Sequence, residues 1–226
     1  MKIKILLSLF ISICFLANAQ KKGDKRTGYG LHFSINATGV YNTYGYFDNV
    51  EPVQGYEIGI RYNRKLGILG ACNEVNYMNV SYTDPEDSWI LGSFYPGGGQ
   101  VNLNYISDVA LLKLYIGGLN IHFGTQASYL IGGTFSDGTN MRDDIYYVNI
   151  NGVNTWLMND IDLAIVIGAG LDTKMGLYFS LRSTASITPL MNIDAVNAAL
   201  APLGLYANSD YMYRLVTGSF SVGYRF

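Results

Sequence analysis

Apolar and polar residues alternate with a period of two along several stretches of about ten residues. In residues 177–187, Phe179 and Leu181 fall on one face of an extended chain, and Ser180 and Arg182 fall on the other. This length and alternation are typical of a strand that crosses a membrane with one face toward lipid. The same pattern recurs in residues 31–38, 56–62, 119–132, 161–171 and 213–226. Six strands are therefore predicted.

Two further stretches complete an even count but alternate less regularly. In residues 68–81, Asn73 and Asn79 share a face with apolar side chains, and in residues 101–115 the run 109–112 does not alternate. A β-bulge moves the following side chains to the other face of a strand. We therefore expect a bulge or a shifted register in each of these two strands.

The connections between the predicted strands alternate between long and short. The long ones are residues 41–54, 82–100, 132–159 and 188–212. The short ones are residues 63–67, 116–118 and 172–176. Short turns at one rim and long loops at the other are typical of a membrane barrel, and closure leaves no unpaired strand edge in hydrocarbon. The fold class predicted is all-β: an eight-stranded antiparallel transmembrane β-barrel with short periplasmic turns and long extracellular loops.

The N-terminal residues 1–19 have the features of a secretory signal peptide. Lys2 and Lys4 precede an apolar run at residues 5–16, and the small residues Ala17-Asn18-Ala19 follow it. The apolar run is shorter than the roughly 18 to 20 residues that a membrane-spanning helix needs. We expect an exported barrel domain over residues 20–226.

The charge and the reactive residues exclude several classes of function. The formal net charge is −2, and removing two lysines with residues 1–19 makes it −4, which does not favour a nucleic-acid partner. Cys72 is the only cysteine after that removal, so no internal disulfide is expected. With only two histidines in the sequence, we expect neither a metal centre nor a cofactor.

The alternation predicts which charged residues face the interior of the barrel. The predicted set contains both signs: Glu57, Arg61, Glu74, Asp108, Asp162 and Arg182. The interior of an eight-stranded barrel is just wide enough for side chains to fill it. We expect these groups to pair and to close the lumen, and the alternative is a narrow ion path.

Four segments carry a resemblance to a known family. They are Gly28-Tyr29-Gly30, residues 105–113, Asp162 to Leu171 with its Gly-Ala-Gly, and residues 221–226. The chain resembles the outer-membrane β-barrel domain family of Gram-negative bacteria that includes the PorT-like secretion accessory proteins. It departs from that family in lacking a proline near Asp108. The resemblance implies a location in the outer membrane and no enzymatic activity.

The final strand also resembles those of outer-membrane barrels in general, which end on an aromatic residue that the barrel assembly machinery reads. The residues that fit this role are Phe220, Val222, Tyr224 and Phe226. Besides this machinery and outer-membrane lipid, the resemblance implies envelope or secretion proteins as partners.

The function expected is non-enzymatic: a structural, surface-interaction or secretion-accessory role. One alternative is a narrow porin or transporter for small solutes. Another is a lipid-modifying enzyme, since His32 and Ser34 share one face, but that face is predicted to lie away from the lipid. The aromatic run 41–47 suits an interfacial belt or a binding patch. Residues 191–201 have near-helical spacing and predict a short helix over the outer mouth.

Overall fold

The computed structural model describes most of the proposed barrel domain. The described residues are 26–41, 52–84, 99–135, 138–140, 147–150, 152–208 and 212–226. The predicted signal peptide and all but the first residue of the aromatic run 41–47 lie outside these ranges. Within them, no helix is both long enough and apolar enough to cross a bilayer.

Eight long antiparallel strands close into a barrel, as the alternation predicted. The elements in chain order are β1 Gly28–Tyr41, β2 Pro52–Leu66, β3 Leu69–Asp84, β4 Gly99–Ile116, β5 Leu119–Phe135, β6 Tyr147–Ile150, β7 Val153–Trp156, β8 Ile161–Asp172, β9 Leu177–Ser186, α1 Ile193–Leu200 and β10 Arg214–Arg225. Around the barrel, the order is β1, β10, β9, β8, β5, β4, β3, β2. Strand β1 pairs with both β10 and β2, which closes the sheet. Strands β6 and β7 form a separate hairpin.

Three tight turns lie together at one end of the barrel, which we call the short-turn rim. Gly67 begins the β2–β3 turn with φ +63°, and Gly117 begins the β4–β5 turn with φ +66°. These left-handed conformations suit two-residue hairpins and cost glycine little. Residues 173–176 join β8 to β9 at the same end. The opposite end carries the longer connections, and we call it the long-loop rim.

Apolar side chains cover the outside of the barrel. Phe33, Phe123 and Leu181 point outward and are 52%, 61% and 63% exposed, while their neighbours along the strands are turned inward and buried. Exposed apolar surface that encircles a protein is not tolerated in water, but it is matched by lipid. The outer surface therefore forms the lipid-facing belt of a membrane-spanning barrel.

The polarity of the two faces inverts toward the long-loop rim of β3 and β4. There, Val80 and Leu103 point inward and are fully buried. On the outside, the side chains of Asn79 and Tyr77 both donate to Asn104 Oδ1 at 2.9 Å. Polar groups outside and apolar groups inside are the pattern of a protein in water. These strands thus continue beyond the lipid-facing belt.

This inversion explains part of the irregular alternation. The pairing of β3 with β4 runs without a shift from Leu69 to Asp84. Register shifts do occur, but against the other neighbours: between Val53 and Tyr56 in the β2–β3 pair, and at Asn104 in the β4–β5 pair. At each shift the extra residue lies on the neighbouring strand, β2 or β5, so the expectation of a bulge within residues 68–81 and 101–115 is wrong. At residues 109–112, Val109 and Leu111 simply place apolar side chains in the lumen.

An apolar plug fills the long-loop end of the lumen. It consists of buried strand and loop residues: Val40, Met78, Val80, Tyr82, Val101, Leu103, Tyr105, Leu130, Phe135, Trp156, Leu157, Met158, Leu190, Met191, Ala195, Val196, Ala207, Met212 and Leu215. Helix α1 begins after Asn192, whose side chain accepts from Asp194 N at 3.1 Å. Ala195 and Val196 of α1 are completely buried. The helix predicted over residues 191–201 is confirmed, and it packs into this plug.

A glycine on β10 makes room for an aromatic ring inside the barrel. A Cβ at Gly223 would lie 2.3 Å from the ring and hydroxyl of Tyr178. Because overpacking typically costs 1–3 kcal/mol, we expect Gly223→Ala to lower the free energy of unfolding by about that amount. Urea unfolding of the folded barrel in detergent measures it. Gly218→Ala is the control, since a Cβ there meets nothing within 4 Å. Equal stability of the two variants would contradict this packing.

Candidate functional site

The polar interior of the barrel is the candidate site, because its side chains are charged, buried and contributed by nearly every strand. Arg61 and Arg225 are among the largest fully buried side chains of the described residues. A charge removed from water is costly unless a partner is close and well oriented. The arrangement of the partners therefore decides whether the interior is a channel or a packed core.

Glu74 forms the first charge cluster, near the middle of the lumen. Its two carboxylate oxygens accept from the Arg182 guanidinium at 2.5 and 2.6 Å in a bidentate pair. Arg61 Nε lies 3.7 Å from the same carboxylate. The Arg61 guanidinium also stacks over the ring of Tyr178, with its carbon 3.8 Å from the ring centre. Three of the predicted lumen charges thus meet in one cluster.

Asp172 forms a second cluster, close to the short-turn rim. Its carboxylate lies 3.1 Å from Arg225, 3.4 Å from Lys113 and 3.9 Å from Arg61. The hydroxyl of Tyr115 donates to Asp172 Oδ2 at 2.7 Å. Because Arg61 contacts both clusters, the charges form one continuous network across the lumen.

The sequence analysis did not single out three members of this network. Asp172 lies in the predicted turn 172–176, Lys113 follows the irregular run of β4, and Arg225 lies in the predicted strand 213–226 but outside the set of predicted lumen charges. The sequence does contain a signal for Asp172. It lies ten residues after the inward Asp162 on the same strand, and an even spacing along a strand places both side chains on the same face.

Asp108 does not belong to the lumen, contrary to the prediction. It lies on the outer face of β4, half-buried, where Asn73 donates to its Oδ1 at 2.7 Å. The run Val109 to Leu112 next to Asp108 does not alternate, so the sequence pattern assigned Asp108 to the wrong face. The neighbouring Val109 and Leu111 occupy the inner positions instead. The hydrogen bond from Asn73 satisfies part of the carboxylate on the outside.

The other two predicted lumen charges are buried inside the barrel but outside these clusters. Glu57 Oε1 lies 3.0 Å from His32 Nε2. Asp162 accepts from Ser186 at 2.9 Å and from Thr188 at 2.8 Å, toward the long-loop rim. Glu57 and Asp162 are therefore buried in the interior, where each forms a separate local pair instead of joining the charge clusters.

The His32 and Ser34 side chains do not form a nucleophile and base pair. His32 is paired with Glu57, while Ser34 donates to Ser221 at 2.8 Å. All four side chains lie inside the barrel and are buried, away from any acyl chain. Their geometry is that of an interior hydrogen-bond network.

A second serine and histidine come closer together. His122 lies between Ser180, at 3.4 Å, and Asn120, at 2.9 Å. Ser180 also accepts from Arg182 Nε at 3.1 Å, so its oxygen is held by a cation as well. Ser180, His122 and Asn120 are each less than 5% exposed. A hydrolytic site needs access for its substrate, and these side chains face a packed interior.

His32, Glu57 and Glu74 also bring potential metal-ligand atoms within 4.8 Å of one another. The guanidinium of Arg182 already occupies both oxygens of Glu74, and Arg61 lies beside it. Two nearby cations disfavour a third positive charge. The donor set therefore fits an ion-pair network better than a metal centre.

The residues expected to form the assembly signal lie on the outer face of β10. Phe220, Val222 and Tyr224 are 38–45% exposed, and Phe226 is 70% exposed at the short-turn rim. Tyr224 and Phe226 form an edge contact with ring centres 5.9 Å apart. These four side chains belong to the lipid-facing belt, and recognition by an assembly machinery stays a prediction.

No family model and no curated protein sequence matches the chain. Among solved structures, it is similar to Neisserial surface protein A (13% identity, 88% of this chain and 98% of that one, TM-score 0.47). It is also similar to Ail, the attachment invasion locus protein of Yersinia pestis (12%, 88% and 99%, 0.43), and to CarO of Acinetobacter baumannii (13%, 85% and 97%, 0.36). These values are low, and the barrel is assigned from its own strand pairing.

The pair of Glu74 and Arg182 gives a stability test. Arg182→Met leaves the buried Glu74 carboxylate without its bidentate partner, so we expect a loss of about 3–5 kcal/mol in the free energy of unfolding. Adding Glu74→Gln should restore part of it, because the uncompensated charge is removed. Urea unfolding in detergent measures both. Asp108→Asn, on the outer face, is the control and should change stability by about 1 kcal/mol or less. A double variant less stable than Arg182→Met would contradict the pairing.

Proposed function

We propose that this protein is a sealed, non-enzymatic barrel of the bacterial outer membrane that holds its loops at the cell surface for contact with other molecules. The observation that carries the proposal is the double closure of the lumen. The charge network around Glu74 and Asp172 fills the membrane-embedded part, and the apolar plug fills the long-loop end. A path for ions or solutes would require both to open.

The described part of the loops carries apolar side chains that are exposed and not packed into the barrel. Leu203 and Tyr206, just after α1, are 71% and 78% exposed, and Leu205 between them is 46% exposed. They stand at the long-loop rim, beyond the lipid-facing belt. Exposed apolar side chains grouped in this way are typical of a protein contact site. An envelope or secretion partner, as the PorT-like resemblance implies, is one form of this role.

Conductance separates the sealed barrel from the porin alternative. We expect no resolvable unit current when the folded protein is inserted into planar bilayers, because the closely paired charges leave no open aqueous path. A defined single-channel current that changes when Arg182 is replaced would overturn the proposal, since that current would pass through the described lumen.

The orientation in the membrane can be tested by labelling of intact cells. Tyr206→Cys should react with a membrane-impermeant maleimide from outside, because the long-loop rim is proposed to face the medium. Met175→Cys is the matched control: it is 72% exposed at the short-turn rim and should react only after permeabilisation. The native Cys72 is buried and should stay silent. If Met175→Cys were labelled in intact cells and Tyr206→Cys were not, the short-turn rim would face the medium and the proposed orientation would be wrong.

A further inference from the structure

A groove of about 720 Å³ crosses the outer face of the barrel near the short-turn rim. Its floor includes the small residues Ala71, Ala110 and Gly124. A Cβ at Gly124 would lie 1.9 Å from the carbonyl oxygen of Ala110, so β4 and β5 approach each other closely there. Larger apolar side chains also line the groove: Tyr62, Leu66, Leu112, Phe123 and Ile165. The lipid-facing belt therefore contains a groove whose volume suits an elongated apolar ligand.

Arg64 lines the same groove close to the β2–β3 turn. It shares the outward parity of Tyr62 and Leu66 on β2. Its Nε is buried and has no hydrogen-bond partner among the residues that the structure describes. A guanidinium in this position has donors to offer, and a phosphate is a preferred acceptor for it.

The surroundings of Arg64 are positively charged. Arg26, Lys65 and Lys174 also lie at the short-turn rim, and Arg26 donates to the carbonyl of Gly117 at 3.0 Å. Within the described ranges, the acidic residue at this rim is Asp172, which is 1% exposed and already surrounded by cations. A basic rim beside an apolar groove complements a lipid that carries negative charge at one end.

We propose that the groove binds one anionic phospholipid of the leaflet at the short-turn rim. An acyl chain lies along the floor of Ala71, Ala110 and Gly124, and the phosphate accepts from the Arg64 guanidinium. The proposal rests on the membrane-spanning barrel alone and goes beyond the proposed surface role.

A second copy of the chain fits the groove less well. Two copies in one bilayer point the same way, so a two-fold contact through this groove places both Arg64 side chains at the same depth. Like charges facing each other across an interface oppose association. A phospholipid brings the opposite charge to the same position.

Titration of the detergent-solubilised barrel with phosphatidylglycerol, followed by native mass spectrometry, tests the site. We expect one tightly bound lipid and a weaker response to phosphatidylethanolamine. Arg64→Gln should weaken binding of phosphatidylglycerol about tenfold through loss of a charge-assisted hydrogen bond. Ala110→Phe should weaken it independently by filling the floor. Lys174→Gln removes a charge from the same rim outside the groove and should bind as the native chain does. A heat-modifiability gel checks that each variant is folded.

Four results of the lipid titration would overturn the proposal. They are unchanged binding by Arg64→Gln, unchanged binding by Ala110→Phe, an equal loss in Lys174→Gln, which would indicate only general attraction to the rim, and equal binding of phosphatidylethanolamine. A lipid-free dimer that Ala110→Phe disperses would assign the groove to a second copy and would also overturn it.

Discussion

The requirement that each buried charge in the lumen keep a partner governs this barrel. Glu74 is held by Arg182 and approached by Arg61, and Asp172 is surrounded by three cations and the hydroxyl of Tyr115. Removing one member leaves another charge uncompensated in a region of low dielectric. The network therefore couples strands that are distant in sequence, since Arg61 on β2 contacts carboxylates on both β3 and β8.

The two closures of the lumen differ in chemistry because they lie in different surroundings. Where the barrel wall faces lipid, the inside is polar, so the alternation along each strand places apolar groups outside. Above the lipid-facing belt, β3 and β4 face water, so their apolar side chains turn inward and join α1 in the plug. One strand thus follows the rules of a membrane protein along part of its length and those of a soluble protein along the rest.

The eight strands could be predicted from the sequence because the period of two is strong where one face meets lipid. The position of Asp108 could not, because Val109 to Leu112 lack alternation and do not show which face of β4 the residues beside them occupy. Asn73 makes the outer position tolerable, and its proximity to Asp108 depends on the pairing of β3 with β4. The roles of Lys113 and Arg225 likewise depend on their distance to Asp172, which only the closed barrel defines. Parity predicts which way a side chain points, whereas its partner is set by strand register.

The inversion of polarity along β3 and β4 has a consequence for whatever meets the loops. From Asn79 to Asp84 the strand adds on the order of 15 to 20 Å of paired sheet past the hydrocarbon. Because this sheet is paired as far as Asp84 and Gly99, its outer end lies at a fixed height above the bilayer. That height is determined by the number of residues in the β3–β4 hairpin. Lengthening or shortening the hairpin in steps of two would therefore raise or lower its outer end without turning any side chain to the wrong face.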